Sequence, residues 1–182
     1  MLLHYHEFES PLGRILFASD GQSICMLDFA GCEQRTEMLL ARRYGDVQFR
    51  RGSDPLNLKP LLRDYFNGRL HALDHVPVNT GGTAFQQQVW KALRTIPAGE
   101  TRSYGQLAVQ VRRPKASRAV GHANSLNPVA IIVPCHRVIG ASSALTGYAG
   151  GLERKRWLLQ HEGALSANLD LPADPARIPA TA

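Results

Sequence analysis

A thiol, an imidazole and a guanidinium stand side by side in Pro134-Cys135-His136-Arg137-Val138, at the end of the apolar run Val129-Ala130-Ile131-Ile132-Val133. The thiolate is the reactive form of cysteine, and neighbouring positive charge or a base makes it accessible at neutral pH. Adjacent residues of an extended chain point to opposite faces, so His136 could take the Cys135 proton only after a bend or through a bridging water. A carboxylate that orients the imidazole would complete a Cys-His-acid relay. Residues 84–163 contain three acids, Glu100, Glu153 and Glu162, and Glu162 is the candidate. Spacing alone leaves a plainer alternative open, a buried thiol beside an ordinary histidine. Cys25 and Cys32, even with His4, His6, His71 and His75 as completions, match no compact zinc spacing, so no metal is expected.

Two groups of elements must hold these residues. The segments 2–9, 13–19 and 23–29, separated by Ser10-Pro11-Leu12-Gly13 and Asp20-Gly21, read as an antiparallel meander, followed by helices over about 33–44 and 56–68. Residues 1–75 form this N-terminal domain, and the Pro/Gly-bearing stretch 76–83 has little to bury and reads as a linker. The second domain, 84–163, opens with the capping box Thr83-x-x-Gln86 and apolar Phe85, Val89, Leu93 and Ile96 at helical spacing. A second box, Ser103-Tyr104-Gly105-Gln106, starts a short helix. A third helix is predicted from Pro114 to about Ser125, giving a helix-turn-helix. Val129–Val133 reads as a buried extended segment, and a closing helix runs from Gly150-Gly151 to a cap at Gly163. The Ala/Pro-rich residues 164–182 are expected to be a disordered tail. The fold class is α/β (α+β): a small N-terminal antiparallel-sheet domain with flanking helices, then a mostly helical C-terminal domain.

Charge separates the two halves. The chain of 182 residues is +6, and residues 84–163 alone hold 11 Lys+Arg against three acids, a net +8. A basic module beside a neutral one suits a polyanion, because phosphate contacts release counterions. No apolar run approaches the roughly 18 residues a membrane crossing needs, and the N-terminus shows no signal pattern, so a cytoplasmic, reduced protein is expected. On the third helix, at roughly 100° per residue, Ala116, Ala119, Val120 and Ala123 share one face. Arg118 and Ser125 point nearly opposite, flanked by Lys115 and His122. Few long polar side chains are offered to base edges, so sequence-specific readout looks weak. A slim helix with one prominent arginine suits the minor groove instead, with Arg118 as a wedge in the base stack or as a phosphate contact.

Pro134-Cys135-His136-Arg137-Val138, preceded by Asn127-Pro128 and followed by Leu145-Thr146-Gly147-Tyr148-Ala149-Gly150-Gly151-Leu152, resembles the active-site region of the methylated-DNA–protein-cysteine methyltransferases, the O6-alkylguanine-DNA alkyltransferases. The likeness runs from about Phe85 to Gly163, including Ser103-Tyr104-Gly105-Gln106-Leu107 and Arg118-Ala119-Val120-Gly121, and Ser10-Pro11-Leu12-Gly13 also fits. It implies DNA repair by direct reversal, in which a damaged guanine in double-stranded DNA is flipped into a pocket and its O6-alkyl group is transferred, irreversibly and once per molecule, to Cys135. It further implies His136 as a base acting through water, Glu162 as its orienting partner, and Asn127 as the group fixing the turn before the active-site segment. Arg118 would fill the gap in the duplex, with Lys115 and Ser125 beside it on the DNA-facing side. Tyr104 would assist base rotation and donate to guanine N3. Tyr148, Val138 and Ala149 would line the pocket. No cofactor is expected, and a monomer acting on the minor groove with little sequence specificity is the implied state. Where some relatives carry Ser, Ala149 offers only its backbone.

Two rival classes follow from the residues. A transcription regulator on the same helix-turn-helix should show base-reading side chains, which the third helix lacks. A cysteine hydrolase could use Cys135, His136 and Glu162 but gains nothing from a +8 domain.

Overall fold

The computed structural model describes residues 1–52, 54, 56–141 and 145–165. The three expected strands form, as β1 (Leu2–Ser10), β2 (Gly13–Ser19) and β3 (Ile24–Phe29), paired antiparallel through tight turns. At the first turn the Ser10 hydroxyl donates to the Gly13 carbonyl at 2.6 Å and accepts from the Leu12 N–H, while Gly13 takes φ +91°, which a glycine adopts without steric cost. After α1 (Glu33–Tyr44), a short fourth strand β4 (Gln48–Arg51) returns to pair parallel with β1, giving the sheet order β3-β2-β1-β4. This strand is exposed along its length and has no alternating pattern, so nothing local announces it. Helix α2 (Leu58–Phe66) then packs Leu58, Leu62 and Tyr65 inward.

The C-terminal half begins with α3 (Ala84–Leu93), whose capping box forms in both directions: Gln86 N–H to Thr83 Oγ1 and Thr83 N–H to Gln86 Oε1. The same reciprocal pair joins Ser103 and Gln106 at the start of α4 (Tyr104–Gln110), and α5 (Ser117–Ser125) completes the helix-turn-helix. The last helix is α6 (Leu152–His161), and its end is turned by Gly163 at φ +77°. Two short strands, β5 (Arg102–Ser103) and β6 (Val138–Ile139), pair in parallel, so that Tyr104 is tethered close to the turn that carries Cys135.

Four sequence expectations need correction. Helix α5 starts at Ser117, not Pro114, because Arg112 takes a left-handed φ of 56° and the chain makes one more turn before the helix begins. Ala119 is exposed rather than inward-facing, and the buried side of α5 is Val120, Ala123 and Asn124, set by packing on α3 and α4. Val129–Val133 is fully buried but coiled. Val129 makes a single bridge to Leu27, Ile131 adopts φ 65°, and the Val133 N–H donates to the Val129 carbonyl. A left-handed β-branched residue costs about 1–3 kcal/mol, and the surrounding bonds to β3 hold it there. The stretch 76–83 is no loose tether, since Val76 is buried and Pro77 and Asn79 hydrogen-bond the backbone of Ile24.

One apolar core crosses both halves. Ile15, Phe17, Leu27 and Phe29 of the sheet pack with Leu62 and Tyr65, and onward with Val89, Leu93, Val120, Val133 and Leu158. Within it the Trp90 indole N–H donates to the Ala123 carbonyl at 2.9 Å, joining α3 to α5. Replacing Trp90 by Phe should remove one of the two donors to that buried carbonyl, leaving the Leu126 N–H at 3.2 Å, and lower stability by about 0.5–1.5 kcal/mol, read as a fall in the urea midpoint.

Candidate active site

Cys135, His136 and Arg137 form a single turn of 3₁₀ helix, so the bend that an extended segment lacked is present. All three side chains are buried, and Cys135 reaches a narrow cleft lined by Asp28, Arg35, Asn127, Ala130, Tyr148 and Ala149. The turn is built by Asn127, which is 2 % exposed: its amide donates to the Val133 carbonyl at 2.7 Å and its carbonyl oxygen accepts the Val129 N–H at 3.0 Å. From α5, Asn124 donates to the Cys135 carbonyl at 3.3 Å.

Glu162 lies against His136 and is more heavily bonded than a relay requires. Its Oε1 accepts from Tyr65 Oη at 2.7 Å and from Arg137 Nη2 at 2.8 Å, and lies 3.0 Å from His136 Nε2. Its Oε2 accepts from Arg137 Nε at 2.9 Å. Burial alone would raise the Glu162 pKa, but the His136 and Arg137 partners outweigh it and hold the carboxyl well below its usual range. His136 is fully buried, and burial lowers its pKa against the opposing pull of Glu162, which leaves a neutral ring. A neutral ring facing a carboxylate places its proton on Nε2, because the carboxylate only accepts. Nδ1 is then a lone-pair acceptor, and it has no protein partner among the described residues.

Burial pushes the Cys135 thiol up, while the Asn127 amide, Lys155 and Arg35 draw it down and Asp28 opposes them. Lys155 is fully buried on α6, and its ammonium donates to the Val138 carbonyl at 2.6 Å and the Thr146 carbonyl at 2.8 Å, with burial bringing its pKa to about 8. Tyr104 packs its ring over Gly121 of α5, and burial raises its phenol, so it is a proton donor at neutral pH. Tyr148 and Ala149 line the cleft. Val138 stands behind it, with a fully buried side chain and its carbonyl taken by Lys155. Lys115, Arg118, Ala119, His122 and Ser125 are all exposed, so α5 presents a small-residue face with one arginine beside the basic turn Arg112-Arg113.

Residues 3–80 match the family described as 6-O-methylguanine DNA methyltransferase, ribonuclease-like domain, and residues 84–164 match its DNA binding domain. The methylated-DNA–protein-cysteine methyltransferase of Shigella flexneri is 48% identical over 159 residues, covering 86% of this chain and 93% of the relative. That of Mycobacterium tuberculosis is 49% identical over 162 residues, covering 88% and 93%. The chain belongs to the methylated-DNA–protein-cysteine methyltransferase family. Among solved structures, the M. tuberculosis OGT in complex with DNA superposes with a TM-score of 0.73 at 43% identity, covering 88% of this chain and 93% of that one. The O6-methylguanine-DNA methyltransferase of Pyrococcus kodakaraensis gives 0.59 at 26% identity, covering 88% and 99%.

In this methyltransferase-family chain several groups of the site are not among the residues the sequence singles out, Asp28 and Asn124 included. Arg137 stood beside the cysteine and carried a legible charge. Lys155 gave no signal apart from adding to a basic count. Tyr65 and Arg35 lie 97 and 92 positions from the residues they bond, Glu162 and Asn127, and no local pattern marks them.

The Glu162→Gln substitution should leave Arg137 as a buried cation without its carboxylate and cost about 3–5 kcal/mol at neutral pH, measured by urea unfolding. A depressed folded pKa contributes stability that is present above the unfolded value and lost as pH falls. The gap between wild type and variant should therefore close progressively below about pH 4.

Proposed function

We propose that this chain repairs DNA by direct reversal, moving the alkyl group of an O6-alkylguanine in duplex DNA onto Cys135 in a single irreversible turnover. The observation that carries the reading is the unpartnered Nδ1 of a buried, neutral His136 whose other nitrogen is held by Glu162, one residue from a thiol that opens to a cleft. No direct bond joins Cys135 to His136 among the described residues, so a bridging water suits the proton path. The thiol proton passes to Nδ1, and the sulfur attacks the alkyl carbon as the carbon–O6 bond breaks. The electron pair enters the purine, and Tyr104 donates a proton toward N3 so that guanine leaves neutral. The S–C bond formed is a thioether, and the mechanism needs no cofactor or metal.

Binding rests on α5 and its basic turn, a surface that fits the minor groove better than base-edge readout. That a relative of known structure is a complex with DNA supports the same partner here. Lys115 and Ser125 take backbone positions, Arg118 occupies the gap in the stack, and Tyr104 helps the base rotate out. Arg137 and Lys155 are buried, so the DNA-facing charge comes from the exposed Arg112, Arg113, Lys115 and Arg118. The working unit is a monomer in the cytoplasm, acting with little sequence preference. No helix among the described residues is long and apolar enough to cross a membrane. In chain order the parts are residues 1–75, a connection at 76–83 and the DNA-binding half 84–163. The expected tail, 164–182, lies outside the described residues apart from its first two.

Intact-protein mass spectrometry after incubation with O6-methylguanine duplex should show one added methyl on the wild-type chain and none on Cys135→Ala. Repeated rounds of repair with substrate in excess would overturn the single-turnover assignment. Arg118→Ala should slow transfer from duplex by roughly ten- to hundredfold, the scale of a few kcal/mol for unstacking, and leave transfer from the free alkylated base unchanged.

A further inference from the structure

An ion pair of the N-terminal half borders the cleft. Arg35 on α1 donates from Nη1 to Asp28 Oδ2 at 2.5 Å, and from Nη2 to the carbonyls of Ser125 at 2.7 Å and Asn127 at 2.8 Å. Ser125 is the last residue of α5, and Asn127 is the residue that builds the turn before Cys135. The carbonyls ending a helix lack intrahelical partners and carry partial negative charge, so a cation there satisfies both needs at once. Asp28 on β3 is 3 % exposed, and its Oδ1 accepts its neighbour's Phe29 N–H at 3.0 Å, which fixes the carboxylate to the sheet. The planar fork of the guanidinium addresses the carboxylate and both carbonyls in one orientation, a geometry an ammonium does not reproduce. An unbroken series of bonds thus runs from β3 through Asp28, Arg35 and Asn127 to the Val133 carbonyl, two residues from the thiol.

We propose that Asp28 and Arg35 form a positioning pair by which the N-terminal half sets the alignment of the DNA-facing helix α5 with the Cys135 thiol. The pair acts through Asn127 and touches neither nucleophile nor base in the transfer step. This rests on the repair function proposed above. The charged and titratable groups facing Cys135 are Lys155 from α6, Asp28 and Arg35 from β3 and α1, and the phenols of Tyr104 and Tyr148. Asp28 and Arg35 act on the thiol in opposite directions, and the signature sought for the pair is geometric.

The test uses the full chain and the variants Arg35→Met, Arg35→Lys and Asp28→Asn, each titrated for active sites and kept well below its melting temperature. Three quantities are measured: Kd for an unmodified duplex, the transfer rate at saturating O6-methylguanine duplex, and the transfer rate from a free O6-alkylguanine base. Arg35→Met should lower the saturating duplex rate by about tenfold or more, in keeping with the sensitivity of transfer to small misplacements, and by a clearly larger factor than the free-base rate, while duplex Kd stays within about threefold. Arg35→Lys should fail to restore the duplex rate, and Asp28→Asn should fall between wild type and Arg35→Met. If Arg35→Met does not fold, the other two variants carry the comparison. Parallel loss of duplex and free-base rates, an unchanged duplex rate, or a change confined to Kd would each overturn the positioning role. Failure of the wild-type chain to accept an alkyl group would overturn the repair reading itself.

Discussion

A carboxylate sealed in a protein interior is costly unless it is paired and hydrogen-bonded, and Glu162 meets that condition with bonds from Tyr65, His136 and Arg137. The arrangement places a negative charge behind the imidazole and a guanidinium beside it, so that the carboxyl stays ionised and the ring stays neutral. Ring orientation, proton location and the free face of Nδ1 all follow from that one satisfied charge. Arg137 also donates from Nη1 to the Ile96 carbonyl at 2.5 Å, so the charge cluster is fastened to the segment that ends α3.

Around this hub the protein uses cations as internal fasteners. Lys155 holds the carbonyls of Val138 and Thr146. Arg154 donates to the Leu12 and Gly150 carbonyls and lies 4.5 Å over the Phe29 ring, joining the first β-turn to the cleft loop. Part of the positive charge in the C-terminal half is therefore spent on architecture, while Arg112, Arg113, Lys115 and Arg118 stay exposed on and beside the α4–α5 turn, as does Lys91 on α3.

Local chemistry made some of this legible from the chain alone. The two capping boxes announce α3 and α4 because both partners lie within four residues of each other, and both form as written. The Cys-His-Arg run and the scarcity of acids in residues 84–163 were enough to single out Glu162. Periodicity failed where packing overrode it: Ala119 fits an apolar stripe by angle, yet α3 and α4 cover only the side holding Val120 and Ala123. The run Val129–Val133 is apolar like a strand, but β3 offers it a single bridge and Asn127 bends it. Tyr65, Asp28 and Arg35 entered the site through contacts between halves that are distant in sequence, and such contacts leave no periodic trace.

The Ile24 backbone that receives Pro77 and Asn79, and the Tyr65 hydroxyl that completes Glu162, bear on how freely such a chain can be recombined in evolution. A gene fusion that borrowed only the helical portion would inherit a nucleophile with an incompletely solvated counter-charge and a raw apolar face. The junction near residue 80 is consequently a costly place to divide this chain, because each portion would lose bonds that the other supplies.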